Sequence, residues 1–163
     1  PQEYRLVWEY FMRNNDPIYV SEHRKSYQLI DEMQDVYDED ADITVIAISG
    51  GRLNFLEAEK MLREKGIKCN IFHLVWLKPF NPPEVMLESL KRTNIGLVID
   101  SDFEITGASR SIAYELMHLT GTPVHALGLE DRVCGVAPHL ENITPSPQKI
   151  TATIETLLQP DKK

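Results

Sequence analysis

Residues 42–81, DITVIAISGGRLNFLEAEKMLREKGIKCNIFHLVWLKPFN, decide how the chain folds. Ile43 to Ile48 is an almost unbroken apolar run rich in β-branched residues, the pattern of a strand covered on both faces. Gly50 and Gly51 end the run. Asn54, followed three residues later by Glu57, has the spacing of a capping box and predicts a helix start. Phe55, Ala58, Met61 and Leu62 then share one helical face, while Glu59 with Arg63 and Lys60 with Glu64 pair four apart on the wet side. Gly66 ends the helix, and Ile67 to Leu77 is again strand-like. Two parallel strands need such a helical crossover, so the stretch predicts a right-handed βαβ unit.

The units that follow repeat this logic. Asn81-Pro82-Pro83-Glu84 has capping-box spacing with prolines in the first turn, and Met86, Leu87 and Leu90 supply an apolar face. Ile95 to Ile99 predicts a third strand with Asp100-Ser101-Asp102 at its exit. Thr106-Gly107 opens a third helix carried by Ile112, Leu116 and Leu119. Val124 to Leu129 predicts a fourth strand, and Ser146-Pro147 starts a last helix with Ile150, Ile154, Leu157 and Leu158 inward. Residues 130–145 lack periodicity. The fold class is therefore α/β: a three-layer α/β/α arrangement around a mostly parallel sheet.

Upstream, Tyr4, Val7, Trp8 and Phe11 recur at helical spacing, Asn14-Asn15-Asp16-Pro17 ends that helix, and Ile18 to Ser21 predicts a short strand. One helix and one strand cannot bury their own apolar faces. Residues 1–30 are thus expected to be the tail of a preceding domain, residues 31–42 (DEMQDVYDEDAD) a solvated acidic linker, and residues 43–163 the main domain. The acidic run lacks the glycine-turned loop and terminal Glu of a calcium loop.

Composition excludes several function classes. A formal net charge of −8 over 163 residues leaves no basic face for nucleic acid. No apolar run approaches the roughly 20 residues of a membrane span. Cys69 and Cys134 have neither metal-ligand nor disulfide-framework spacing, which predicts a reducing compartment, the cytoplasm. The five histidines are scattered, and no Walker loop, G-x-S-x-G elbow or G-x-G-x-x-G fingerprint occurs.

Three places at strand exits are candidates for ligands or for turns. Glu22-His23-Arg24-Lys25 is either a ligand edge or a solvated turn. Ser49-Gly50-Gly51-Arg52 is either an anion cradle at a helix N-terminus or a tight βα turn. Asp100-Ser101-Asp102 is either a ligand edge or a set of turn and cap residues.

The order of these pieces resembles the C-terminal part of the β subunit of thiamine-diphosphate-dependent 2-oxo acid dehydrogenases, and more broadly the transketolase superfamily. Asp16-Pro17-Ile18-Tyr19-Val20-Ser21-Glu22-His23-Arg24 with Tyr27 is similar to the closing strand of the family's pyrimidine-binding domain. Ala41 to Ala47 is similar to the opening of its C-terminal domain. Leu74, Leu77, Lys78 and Pro79, then Val98-Ile99-Asp100 with Thr106-Gly107, then Asp131, Ala137-Pro138, Leu140-Glu141 and Pro145 follow its later motifs. Three departures stand out: His73 and Val75 flank Leu74 in place of an acid and a base, Asn81 replaces the acid that follows, and Ser109-Arg110-Ser111 replaces a small, acid-bearing helix start. A cation there opposes the helix dipole unless an acid compensates.

The resemblance implies a transketolase C-terminal-domain-like fold and a parent enzyme of the pyruvate or branched-chain dehydrogenase type. Alternatives are a transketolase or deoxyxylulose-phosphate-synthase-like domain and a non-catalytic protein-interaction module. It also implies thiamine diphosphate and magnesium in the parent and none in this chain, which is expected to be inactive alone and to serve subunit assembly and partner docking. Partners implied are a homodimer or α2β2 heterotetramer and a dihydrolipoyl acyltransferase. Residues implied are His23 and Arg24 for an anionic substrate, and Ser109, Arg110, Asp131 and Pro138 for an interface.

Overall fold

The computed structural model describes residues 3–29 and 31–159. The chain divides into two compact units, residues 1–34 and 35–163.

In the first unit, helix α1 (Glu3–Arg13) forms where the apolar spacing predicts it, and Trp8 meets Phe11 edge to face at 5.7 Å between ring centroids. None of its residues is buried, and Trp8 is 61% exposed. The strand expected at Ile18 to Ser21 does not form: these residues belong to no sheet, because no strand among the described residues supplies a ladder. A 3₁₀ turn, Arg24–Gln28, follows. Glu22 accepts from the hydroxyls of Tyr27 and Tyr4, which holds its carboxyl below the ordinary range; Tyr4, partly desolvated and bonded to that carboxylate, is pushed up to about 12.

The second unit contains β1 (Ile43–Ile48), α2 (Gly50–Glu64), β2 (Cys69–Leu74), α3 (Glu84–Thr93), β3 (Gly96–Phe103), α4 (Ala108–Thr120), β4 (Val124–Leu129) and α5 (Pro147–Leu158). The four strands are parallel in the order β2-β1-β3-β4. Alternation along β1 divides the core. Ile43 and Val45 pack with Phe55, Ala58 and Leu62 of α2 and Ile150 and Ile154 of α5, whereas Ile46 and Ile48 pack with Met86 and Leu90 of α3 and Ile112 and Leu116 of α4. Every residue of β1 is buried, as its apolar run requires.

Thr44 is the polar residue in that run, and it is completely satisfied. Its hydroxyl lies 2.6 Å from Ser89 Oγ and 2.9 Å from Thr93 Oγ1, and Asn70 Nδ2 donates to Ser89 Oγ at 2.8 Å. Ser89→Ala strands a buried amide N–H and weakens the anchoring of Thr44. Urea unfolding is expected to show a loss of about 1–3 kcal/mol with the m-value unchanged.

Several boundaries differ from those expected. Helix α2 starts at Gly50, four residues before Asn54, because Ser49 turns the chain sharply (φ 49°, ψ −128°) and Gly51 lets the first turn lie against β3. A Cβ at Gly51 would sit 3.0 Å from Ile99 Cγ2 and 3.1 Å from its carbonyl oxygen. Asn54 is therefore no cap; its amide donates to the Pro145 carbonyl at 2.9 Å. At α3, Pro83 is the N-cap and Glu84 the first helical residue, so the prolines precede the helix and Asn81 caps nothing. Ser146 does cap α5, accepting from Lys149 N at 3.2 Å. The acidic run is not a free linker either: from Asp35 onward it lies along β2, with Val36 paired antiparallel to Ile71.

Candidate functional site

Strand order places a switch point between β1 and β3. The chain leaves β1 through α2 on one face and leaves β3 through α4 on the other, so the two helix N-termini lie at the C-terminal edge of the sheet on either side of this point. Open α/β sheets bind ligands at such points.

On the β1 side, Ser49 adopts a positive φ that non-glycine residues rarely take, and its side chain caps no α2 amide. Arg52, in the first turn of α2, is only 9% exposed and donates from Nε to His73 Nδ1 at 3.3 Å. His73 ends up beside Arg52 because β1 and β2 pair Ala47 with His73. Its backbone N–H is taken by Asp35 Oδ1 at 2.7 Å. Sequence reasoning missed Arg52, His73 and Asp35 as a group. The available signal was a cation in a first helical turn, where the dipole disfavours it.

On the β3 side the two readings of Asp100-Ser101-Asp102 separate. These residues lie within β3, at an irregularity between Ile99 and Phe103. Asp100 is 4% exposed; its carboxylate accepts from Ser101 N at 2.7 Å, and the nearby N–H groups of Asp102 and Ala108 favour its charged form. Burial nevertheless raises its pKa above the ordinary aspartate value. Asp100 thus turns its carboxylate toward backbone N–H groups at the strand end and the start of α4. Gly128 permits the irregularity, since a Cβ on it would lie 2.6 Å from the Asp102 carbonyl oxygen.

Arg110 finds the compensating acid that its place in α4 demands: its Nη2 and Nε reach Glu104 Oε1 at 2.7 and 3.2 Å. Ser109 is fully buried, and its hydroxyl has no hydrogen-bond partner among the described residues. Beside them lies a cleft of about 310 Å³ lined by Leu77, Phe80, Ala108, Ser111, Ile112 and Glu115.

Asp131 and Pro138 are exposed in the loop after β4. That loop is irregular yet tightly held. Arg132 spans it, donating to the carbonyls of Leu140 and Glu141 at 2.8 and 2.6 Å and to Glu130 Oε2 at 2.7 Å. The Asn142 amide closes it by bonding Glu130 N, Glu130 O and Arg132 O at 3.0, 2.9 and 2.8 Å. At its tip Val133 and Val136 are 86% and 101% exposed.

In the first unit, His23 is the N-cap of the 3₁₀ turn; its carbonyl accepts from Ser26 N and Oγ at 2.8 and 2.7 Å. Its Nδ1 is buried with no partner among the described residues, and Arg24 is exposed.

Among the described residues, no three His, Cys, Asp or Glu side chains converge on a metal-sized site. Among them also, no helix is long and apolar enough to cross a membrane.

The chain is 30% identical over 109 residues to the pyruvate dehydrogenase E1 component subunit beta of Mesostigma viride, covering 60% of this chain and 33% of that protein. It is 25% identical over 166 residues to the acetoin:2,6-dichlorophenolindophenol oxidoreductase subunit beta of Bacillus subtilis (strain 168), covering 91% of this chain and 48% of that one. The chain thus spans between a third and a half of these relatives. Its fold is shared with a solved split-gene transketolase in an inactive β4 tetramer, at a TM-score of 0.60 and 24% identity over 72% of this chain and 38% of the other. Residues 34–150, nearly the whole second unit, match the family described as Transketolase, C-terminal domain. With the parallel sheet order and the residue pattern in agreement, the chain belongs to the transketolase C-terminal domain family.

Proposed function

We propose that this chain is the C-terminal part of the β subunit of a thiamine-diphosphate-dependent 2-oxo acid dehydrogenase, where it packs subunits and docks a partner instead of carrying out chemistry. Both relatives named above are β subunits of oxidoreductase assemblies. The observation that carries the reading is the stapled loop after β4. Ordering an irregular loop costs conformational entropy, and this one uses Arg132 and Asn142 to hold Val133 and Val136 out in solvent. A preorganised apolar tip is what an interface needs, because the ordering cost is met before binding.

Charge narrows the partner. Arg132 and Lys149 both pair with Glu130, whereas Asp131 and Glu141 have no ion pair among the described residues. The loop therefore suits a surface with an apolar centre and basic flanks, such as the subunit-binding region of a dihydrolipoyl acyltransferase. In this reading Ser109 and Arg110 fix the neighbouring end of α4, and Asp131 and Pro138 border the tip. His23 and exposed Arg24 are assigned to the anionic substrate of the parent, Arg24 by bidentate recognition of a carboxylate.

Surface plasmon resonance against an immobilised acyltransferase subunit-binding segment tests the docking role. Saturable binding is expected, weakened about thirtyfold by Val136→Asp, the effect of losing one central contact of about 2 kcal/mol. Absence of binding by the unaltered chain, or equal binding by Val136→Asp, would overturn it.

A further inference from the structure

Strand β2 ends the sheet order on one side, and an uncovered strand edge is a row of free N–H and C=O groups that invites pairing with other chains. Here that edge is covered by the acidic run. Asp35 Oδ1 accepts from His73 N at 2.7 Å; Val36 and Ile71 exchange N–H···O bonds of 2.9 and 2.8 Å; Asp38 N donates to Asn70 Oδ1 at 2.7 Å. At the far end Asp42 Oδ2 accepts from Lys68 N, and Asp42 N donates to the Lys68 carbonyl, both at 2.8 Å. Lys68 Nζ reaches back to Asp38 at 3.2 Å and Asp40 at 3.9 Å, and Arg92 reaches Glu39 at 3.4 Å.

The attachments are nearly all polar. Val36 is the only side chain of residues 35–42 among the partly buried apolar groups packed on the core, and Tyr37 is 39% exposed. Segments with little apolar burial and exposed hydrogen bonds open at a small fraction of the global unfolding free energy.

We propose that residues 35–42 are a strap latched onto the β2 edge by carboxylates, which opens as a unit while the sheet stays folded. Its opening uncovers the outward N–H groups of Ile71 and His73. Because the Asp35 anchor adjoins the His73–Arg52 contact, opening also loosens the surroundings of that pair. The strap thereby couples the sheet edge to the first turn of α2, an arrangement that the docking role of the β4 loop does not require.

The charged groups around the latch are Asp35, Asp38, Glu39, Asp40 and Asp42 on the strap, Lys68 and His73 on or beside β2, Arg52 and Arg63 on α2, and Arg92 on α3. Asp38 is held below the ordinary 3.8 by the Asp40 N–H and by Lys68. Its contribution is therefore present above that value and disappears as the pH falls through the lower folded-state pKa.

Amide hydrogen exchange by NMR on the full chain tests the strap. In the triple variant Asp35→Ala, Asp38→Ala, Asp42→Ala, exchange at Ile71 and His73 is expected to accelerate at least about tenfold while β1 amides keep their protection. Unchanged exchange at Ile71 and His73 would overturn the proposal, because the Val36 bridge would then suffice. Equal acceleration in β1 would overturn it too, because the strap would not open separately. Should the triple variant fail to fold, Asp35→Ala alone is expected to accelerate His73 and Ile71 to a smaller extent, and no acceleration there overturns the proposal.

Discussion

Phe55→Ala is expected to cost about 3–5 kcal/mol in urea unfolding followed by circular dichroism, through a lower midpoint at an unchanged m-value. Phe55 is 0% exposed and belongs to the core cluster that includes Ile43, Val45, Ala58, Leu62, Ile99 and Ile154. Removing the ring forfeits its transfer free energy and leaves a cavity that close-packed strands fill poorly. The effect reaches the C-terminal edge of the sheet, because Phe55 seats the first two turns of α2, which carry Arg52. Phe55→Leu keeps most of the volume and is expected to cost clearly less. Equal losses for the two substitutions would mean that ring shape, not cavity volume, sets the penalty.

The second large effect is alkaline. Cys69 is 5% exposed, and burial pushes its thiol from about 9 up to about 12. The folded chain keeps this proton where the unfolded chain gives it up. Stability from this group is therefore complete below pH 9 and is lost as the pH rises toward 12, by about 1.4 kcal/mol per pH unit and about 4 kcal/mol in all. Cys69→Ala removes that slope. Its stability is expected to lie about 1 kcal/mol below the parent at pH 7, for the lost packing, and above it near pH 11. Parallel pH–stability curves for the two proteins would show that the buried thiol does not govern the alkaline limb.

How much of this was legible beforehand depends on the range of the interaction responsible. The apolar run at Ile43 to Ile48, the faces of α2, α3, α4 and α5 (save Leu119 of α4, which is exposed), the Ser146 cap and the parallel βαβ logic are local patterns, because a strand or helix repeats its geometry every two or 3.6 residues. Family membership was legible for the same reason: its motifs are short runs at the ends of these elements. The start of α2 was not, since Asn54 and Glu57 satisfy the local rule for a cap, while the close approach of Gly51 to Ile99 belongs to a strand nearly fifty residues away.

Charge patterns misled in the same way. Residues 31–42 have the composition of a solvated linker, and only the bonds from residues 35–42 to His73, Ile71, Asn70 and Lys68 lay that part along the β2 edge. Arg110 opposes the helix dipole in isolation and is balanced by Glu104 from the preceding turn. Asp100 faces backbone N–H groups, Ser101 N first, because the β3 irregularity, permitted by Gly128, turns its carboxylate inward. By itself the sequence determined the strands and helices of the second unit, their parallel pairing and the family, all products of short-range periodicity. The tertiary structure decided which charged groups meet, because a hydrogen bond requires approach within about 3 Å, and that distance is set by packing between segments far apart in the chain.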